Sequence, residues 1–367
     1  MPIPFIIGAA ALAAAGYGAK KGYDGYQKHS EADEIVKDAQ IRYNHKKSAF
    51  DDQENETMLE LDLLGKKELE IGESIGEFKT MAEKLLEQLN AKRASKLNIN
   101  IPKHKLQKIE DYSYTAIGVL GTAVGAGAAG AAAGFAIYGG VMALGAASTG
   151  TAISALSGVA ATNATLAALG GGSLAAGGLG IAGGTAILGA AVAAPVLAIA
   201  GWAYDSHGDE ALKNAYKAND EVTLAIRKLA KASVHLEDTA DYAKKIKREL
   251  VSIFGQFQQY FKTLKDIDTF LQAIKGRNVD ANAELEKLGD EVIRTIENGF
   301  SMAAILVDII TTPLFKIKKV DGEVVCNEDG VPEMEKDVDG SMILNSTGLE
   351  AALQKAKNDA NDIESTN

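Results

Sequence analysis

The chain has 367 residues, 49 of them acidic and 38 basic, giving a formal net charge of −11 and a pI near 5.1. That balance argues against the basic surface expected of a nucleic-acid-binding protein. The single cysteine, Cys326, excludes an intrachain disulfide and fits a reducing compartment.

The N-terminal segment, residues 1–27, opens with an apolar and glycine run over 4–19, followed at once by Lys20 and Lys21. A secretory signal carries its positive charge ahead of the apolar run, so this pattern predicts synthesis in the cytoplasm without a signal peptide. Sixteen residues are few for a bilayer span. An interfacial or re-entrant anchor fits the length, and a helix docked into the rest of the protein is the alternative.

A first charged arm follows over 28–111. Leu61, Leu64, Ile71, Ile75, Phe78, Ala82, Leu85 and Leu89 fall on a three-four spacing, the pattern of an amphipathic helix. Glu68 is the one charge that interrupts the stripe.

Residues 112–204 form a block of 93 without one Asp, Glu, Lys, Arg or His, although such residues are common on both sides. Globular helices keep a wet, charged face, so a stretch this long without charge marks the block as the place to seek function. Its apolarity comes mostly from Ala and Gly, with 21 of the 38 glycines. Each buried CH₂ contributes roughly 0.8 kcal/mol, so such a segment gains only a small surplus from leaving water. Small residues instead let helix backbones approach closely. Gly121/Gly125, Gly130/Gly134 and Gly180/Gly184 are G-x-x-x-G pairs, and Ala126 extends the middle row, the helix-association signal of membrane segments. Residues 116–144 exceed the roughly 20 needed for a span. The stretch 145–150 reads as a turn, and 151–169 as a re-entrant, interfacial or internally packed element. Residues 185–204 form a second candidate span, kinked at Pro195 and ending in the interfacial aromatics Trp202 and Tyr204. The lysines and arginine of 92–108 place the upstream flank in the cytoplasm by the positive-inside rule.

The second arm, 205–311, carries a heptad: Val222, Leu229, Leu236, Ala243, Leu250, Phe257, Leu264 and Leu271 recur every seven residues. Such a repeat predicts coiled-coil-like packing over 209–274, a helix of roughly 100 Å at 1.5 Å per residue. Leu229, Leu236, Leu250, Phe257, Leu264 and Leu271 are its core candidates. The glycine at 276 breaks the pattern, and Leu285, Leu288, Val292, Ile296 and Phe300 begin another helix. The natural partner for this stripe is the first arm, in an elongated antiparallel bundle with the block at one end; an intermolecular coiled coil is the competing arrangement.

Residues 312–367 change character. Asp321-Gly322 between short β-prone runs predicts a type I′ hairpin. Asp329-Gly330 and Asp339-Gly340 are further turn signals. Thr347-x-x-Glu350 opens a closing helix, and 361–367 are expected to be disordered.

Of two G-x-G-x-x-G matches, Gly125-Gly127-Gly130 has no acid until Asp205, and Gly178-Gly180-Gly183 follows a glycine-rich loop where the dinucleotide fingerprint requires a strand. The five histidines show no ligand-like pairing, and Asp205-x-His207-x-Asp209 reads as a polar helix start. No nucleophile elbow or Walker sequence is present. The expectation is a protein that is not an enzyme and needs neither cofactor nor metal.

Long amphipathic arms bracketing a charge-poor apolar block resemble the α-helical pore-forming toxins of the haemolysin E type, and the Ala/Gly composition of the block resembles bacterial glycine-zipper membrane proteins. The toxin likeness implies a helical rod that hides an apolar segment and later inserts it. The expected fold is all-α, with helical arms flanking the Gly/Ala block and a small C-terminal β-hairpin. The expected function is a self-associating, membrane-inserting protein that forms pores or perturbs the membrane, membrane-associated or conditionally inserted, whose partners are a lipid bilayer and further copies of itself. The alternatives are a membrane-tethered coiled-coil scaffold, binding a protein through its arms or hairpin, and a soluble structural helical module.

Overall fold

The computed structural model describes residues 19–90, 101–122, 132–137, 208–275, 281–325 and 332–365. The protein is all-α with a small β appendage. Its helices are α1 (Ala19–Asn90), α2 (Lys103–Thr122), α3 (Gly208–Lys275), α4 (Ala281–Lys287), α5 (Gly289–Ile310) and α6 (Ser346–Ser365). Strands β1 (Lys319–Val320) and β2 (Glu323–Val324) lie between α5 and α6, and residues 132–137 form a further helical stretch.

The chain divides into two compact units, Met1–Glu54 with Ala191–Leu236 and Asn55–Ala190 with Glu237–Asn367. Helices α1 and α3 each contribute to both. In the first unit the interface is made of small residues: Ala32, Ala211 and Ala215 pack together with Ile35, Val36 and Leu212 around them. In the second unit the stripe of α1 is fully used. Leu61, Leu64, Ile71, Ile75, Phe78, Ala82, Leu85 and Leu89 are all buried, as are Ala243, Leu250, Phe257, Leu264 and Leu271 of α3. Phe78 is the hub, with ring centroids 5.2 Å from Phe257, 5.1 Å from Phe300 and 5.9 Å from Phe261, all edge-on. Edge-to-face rings add about 0.5–1.5 kcal/mol per pair to the area they bury.

The direction of the arms corrects the antiparallel expectation. In the second unit Lys244 pairs with Glu56, Lys247 with Glu60 and Lys84 with Asp268, at separations of 188, 187 and 184 positions. In the first unit Lys28–Asp209, Tyr216–Glu31 and Arg42–Asn219 are separated by 181, 185 and 177. A near-constant separation means parallel helices, since an antiparallel pair would hold the sum of the numbers constant. The reversal is made earlier, by α2. Its Glu110 pairs with Lys79, and its Tyr112 and Ser113 bond the carbonyls of Glu68 and Gly72, so α2 runs back along α1.

Helix α5 is deeply enclosed toward its C-terminus, with residues 302–307, 309 and 310 buried. Against it and α3 lies α6, through Leu349, Leu353, Ala356 and Ala360. Tyr242 donates to Glu350 at 2.9 Å, Lys357 pairs with Glu249 at 3.0 Å, and Lys355 reaches Asp308. This packing corrects the expected disorder for 361–365, since the helix continues through Ser365 because its apolar face has a partner; residues 366–367 lie outside the described residues.

The hairpin forms where the turn dipeptide stands. Lys319 pairs with Val324 and Val320 with Glu323, while Asp321 (φ 54°) and Gly322 (φ 86°) take the two left-handed positions of a primed turn. Two further passes join it: Lys316 N donates to Ile343 O, Glu335 N to Lys316 O and Ile343 N to Glu335 O. The Asp339-Gly340 turn is organised by Asp337, whose carboxylate accepts from the amides of Asp339 and Ser341.

Candidate functional site

The uncharged block begins inside the second unit. Helix α2 runs across residue 112 without a break, its first half charged and its second half apolar. Tyr112, Ala116 and Val119 are buried, and so is every residue of 132–137. The docking surface is a row of glycines on α1. A methyl group added at Gly65 would overlap the Ala132 carbonyl, one at Gly72 would overlap the Ala116 side chain, and one at Gly76 would lie 2.6 Å from Ser113 Oγ. Spacings of seven and four keep Gly65, Gly72 and Gly76 on one helix face. Each missing side chain lets another backbone approach, so a seam of close contact holds α2 and 132–137 against α1.

The polar groups of this seam are few. Tyr112 is wholly enclosed, and its hydroxyl donates to the Glu68 carbonyl at 2.6 Å. Its ring lies 6.2 Å from that of Phe135. Ser113 Oγ donates to the Gly72 carbonyl at 2.9 Å. Glu68 stands between Gly65 and Gly72 and is only 3% exposed. Its Oε2 has no hydrogen-bond partner among the described residues. Burial alone holds its carboxyl well above the ordinary glutamate range. Burial, and then the charge of Glu68, raise the Tyr112 phenol well above its usual value. Glu68 interrupts the stripe in the sequence as a charge among leucines, and the structure encloses it.

Of the predicted packing residues, Gly134 is buried within 132–137, and Gly121 belongs to the last turn of α2. Gly125, Ala126, Gly130, Gly180, Gly184, Pro195 and Trp202 lie outside the described residues. All six core candidates of the second arm, Leu229, Leu236, Leu250, Phe257, Leu264 and Leu271, are buried. The heptad therefore reports core positions faithfully. Sequence reasoning missed Gly65, Gly72 and Gly76. Their signal is present in the sequence, since three glycines on the apolar side of a long amphipathic helix demand a close neighbour.

Among the described residues no helix is long and apolar enough to cross a membrane, and no group of acids, histidines or cysteines is placed to hold a metal. The first candidate span, 116–144, is described only as the end of α2 and as 132–137; the second, 185–204, lies outside the described residues. No protein-family model, curated protein or solved structure matches the chain.

Proposed function

We propose that this is a membrane-inserting, self-associating helical protein whose uncharged block is held by a charged bundle before it enters a lipid bilayer and permeabilises it. The observation that supports this is the docking of 132–137. A charge-free segment of Ala, Gly, Phe and Ile is buried with the Ala132 backbone against Gly65 of a charged helix, while α2 closes on Gly72 and Gly76, and the segment has no ion pair to break. Its smallest residues gain little from burial, so hidden and inserted states can lie close in energy. Self-association follows from the same small-residue faces once they are exposed in lipid.

The experiment is dye release from liposomes, run beside recovery of the protein in the membrane fraction after a carbonate wash. Release with retention supports the proposal, and retention without release supports a membrane-tethered scaffold. Absence of both supports a second reading, a structural module, which the complete burial of Phe135 and Ile137 favours.

A further inference from the structure

We infer that Glu68 is a proton-dependent latch on the docked block: with its proton it is tolerated beneath the seam, and loss of that proton loosens residues 132–137 from α1 and α2. This rests on the proposed role of the block in supplying its purpose, but the linkage itself needs no membrane.

The geometry is one-sided. Glu68 lies one turn from Gly65, which abuts Ala132, and one turn from Gly72, which abuts Ala116. Its carboxyl is enclosed, and Oε2 accepts no hydrogen bond among the described residues. The group nearest in kind is the Tyr112 phenol, and its hydrogen is committed to the Glu68 backbone carbonyl, not to the carboxyl. Among the described residues no cation is paired with it. On α1, Lys67 is held by Glu70 and lies over the Phe254 ring. On α2, Glu110 is engaged by Lys79, and Asp111 is itself raised by burial and then by the charge of Glu110. On α3, Lys247 is paired with Glu60; on α5, Asp308 is held by Lys108 and Lys355. Residues 132–137 contain no titratable group. An ionised carboxylate in such a place leaves Oε2 buried with no hydrogen-bond partner among the described residues, so ionisation favours any state that uncovers it.

The sign follows from linkage. A carboxyl whose protonated form the folded state prefers contributes stability that is complete below the ordinary value of 4.5 and is lost as pH rises through its own, higher value. Docking is therefore tightest in acid and loosens toward neutrality, and Glu68→Gln, with the same shape and no charge, should lock it.

The test is amide hydrogen exchange on the full chain without lipid, comparing wild type with Glu68→Gln at each pH so that the intrinsic pH dependence of exchange cancels. Peptides covering 132–137 should exchange alike in the two proteins in acid. Because the folded state holds the proton more tightly, the exchange of wild type relative to Glu68→Gln there should rise with pH toward neutrality, by up to about tenfold per pH unit. Peptides from α5 should differ less. A ratio that does not change with pH, or a change equal in α5 and 132–137, overturns the latch. If Glu68→Gln does not fold, the ratio of exchange in 132–137 to that in α5 within the wild type decides: it should rise with pH, and a flat ratio overturns the inference. Dye release that fails while this ratio rises would refute the membrane role and leave the latch intact.

Discussion

Gly65 and Gly255 are both helical glycines, yet a methyl group at each should act in opposite directions. At Gly255 nothing lies within 4 Å of the new carbon, so Gly255→Ala should stabilise the protein by about 0.5–1 kcal/mol through the entropy of the unfolded chain. At Gly65 the methyl must displace the Ala132 backbone, so Gly65→Ala should cost about 1–3 kcal/mol in spite of its better helix propensity. Urea unfolding monitored by circular dichroism measures both, and equal effects would remove the glycine seam. Glu68 gives the residue scale its pH dependence. Since the folded state holds the proton more tightly, Glu68→Gln and wild type should unfold at the same urea midpoint in acid, with the variant more stable as pH rises toward neutrality. A constant gap would assign the effect to shape alone.

At the scale of the element, core positions and chain direction are different kinds of information. The heptad of α3 and the stripe of α1 named their buried residues correctly, because periodicity reports which face a helix buries. It does not report whether the partner runs parallel, since the same ridges of side chains can be met from either direction. That was decided by α2, which returns along α1 before α3 begins. The parallel register is testable: a zero-length carbodiimide cross-linker should join Lys244 to Glu56 and Lys247 to Glu60, pairs at 2.9 Å. Links that join Glu56 to the C-terminal end of α3 would refute it. Of the ion pairs that mark the register, Lys244–Glu56 and Lys28–Asp209 are exposed and contribute roughly 0–1 kcal/mol each, Lys247–Glu60 and Lys84–Asp268 are half-buried, and the apolar core carries the interface. Phe78→Ala should accordingly cost about 3–5 kcal/mol, read in the same urea titration, because its ring meets three others and fills the space left by Gly299. The hairpin was legible to the residue, since only a turn with both central φ angles positive suits Asp-Gly between two strands.

For the molecule as a whole, the open question is the use of the uncharged block, and a single charge placed within it is the sharpest probe. Ala133→Asp is a poor choice, because Ala133 is buried in the docked segment and a carboxylate there would undock or unfold it before any membrane is met. Ile187→Lys lies in the second candidate span. A charge at the centre of a span costs about 2.5–3.5 kcal/mol on insertion scales, and an Ala/Gly segment has little surplus to absorb it. Ile187→Lys should therefore abolish dye release from liposomes while leaving the helix content unchanged. Release at the wild-type rate would remove the physical basis of the membrane proposal.

The sequence by itself determined the helical class, the buried positions of both arms, the Asp321-Gly322 turn and the odd placement of Glu68, because each is a local matter of periodicity, backbone preference or charge. Three things needed the tertiary structure. The parallel course of α1 and α3 depends on how often the chain turns back between them. The persistence of α6 through Ser365 depends on a partner face for Ala360. The glycine seam and the enclosure of Glu68 depend on α2 and 132–137 lying against one face of α1, and no pattern within α1 names which segment will cover it.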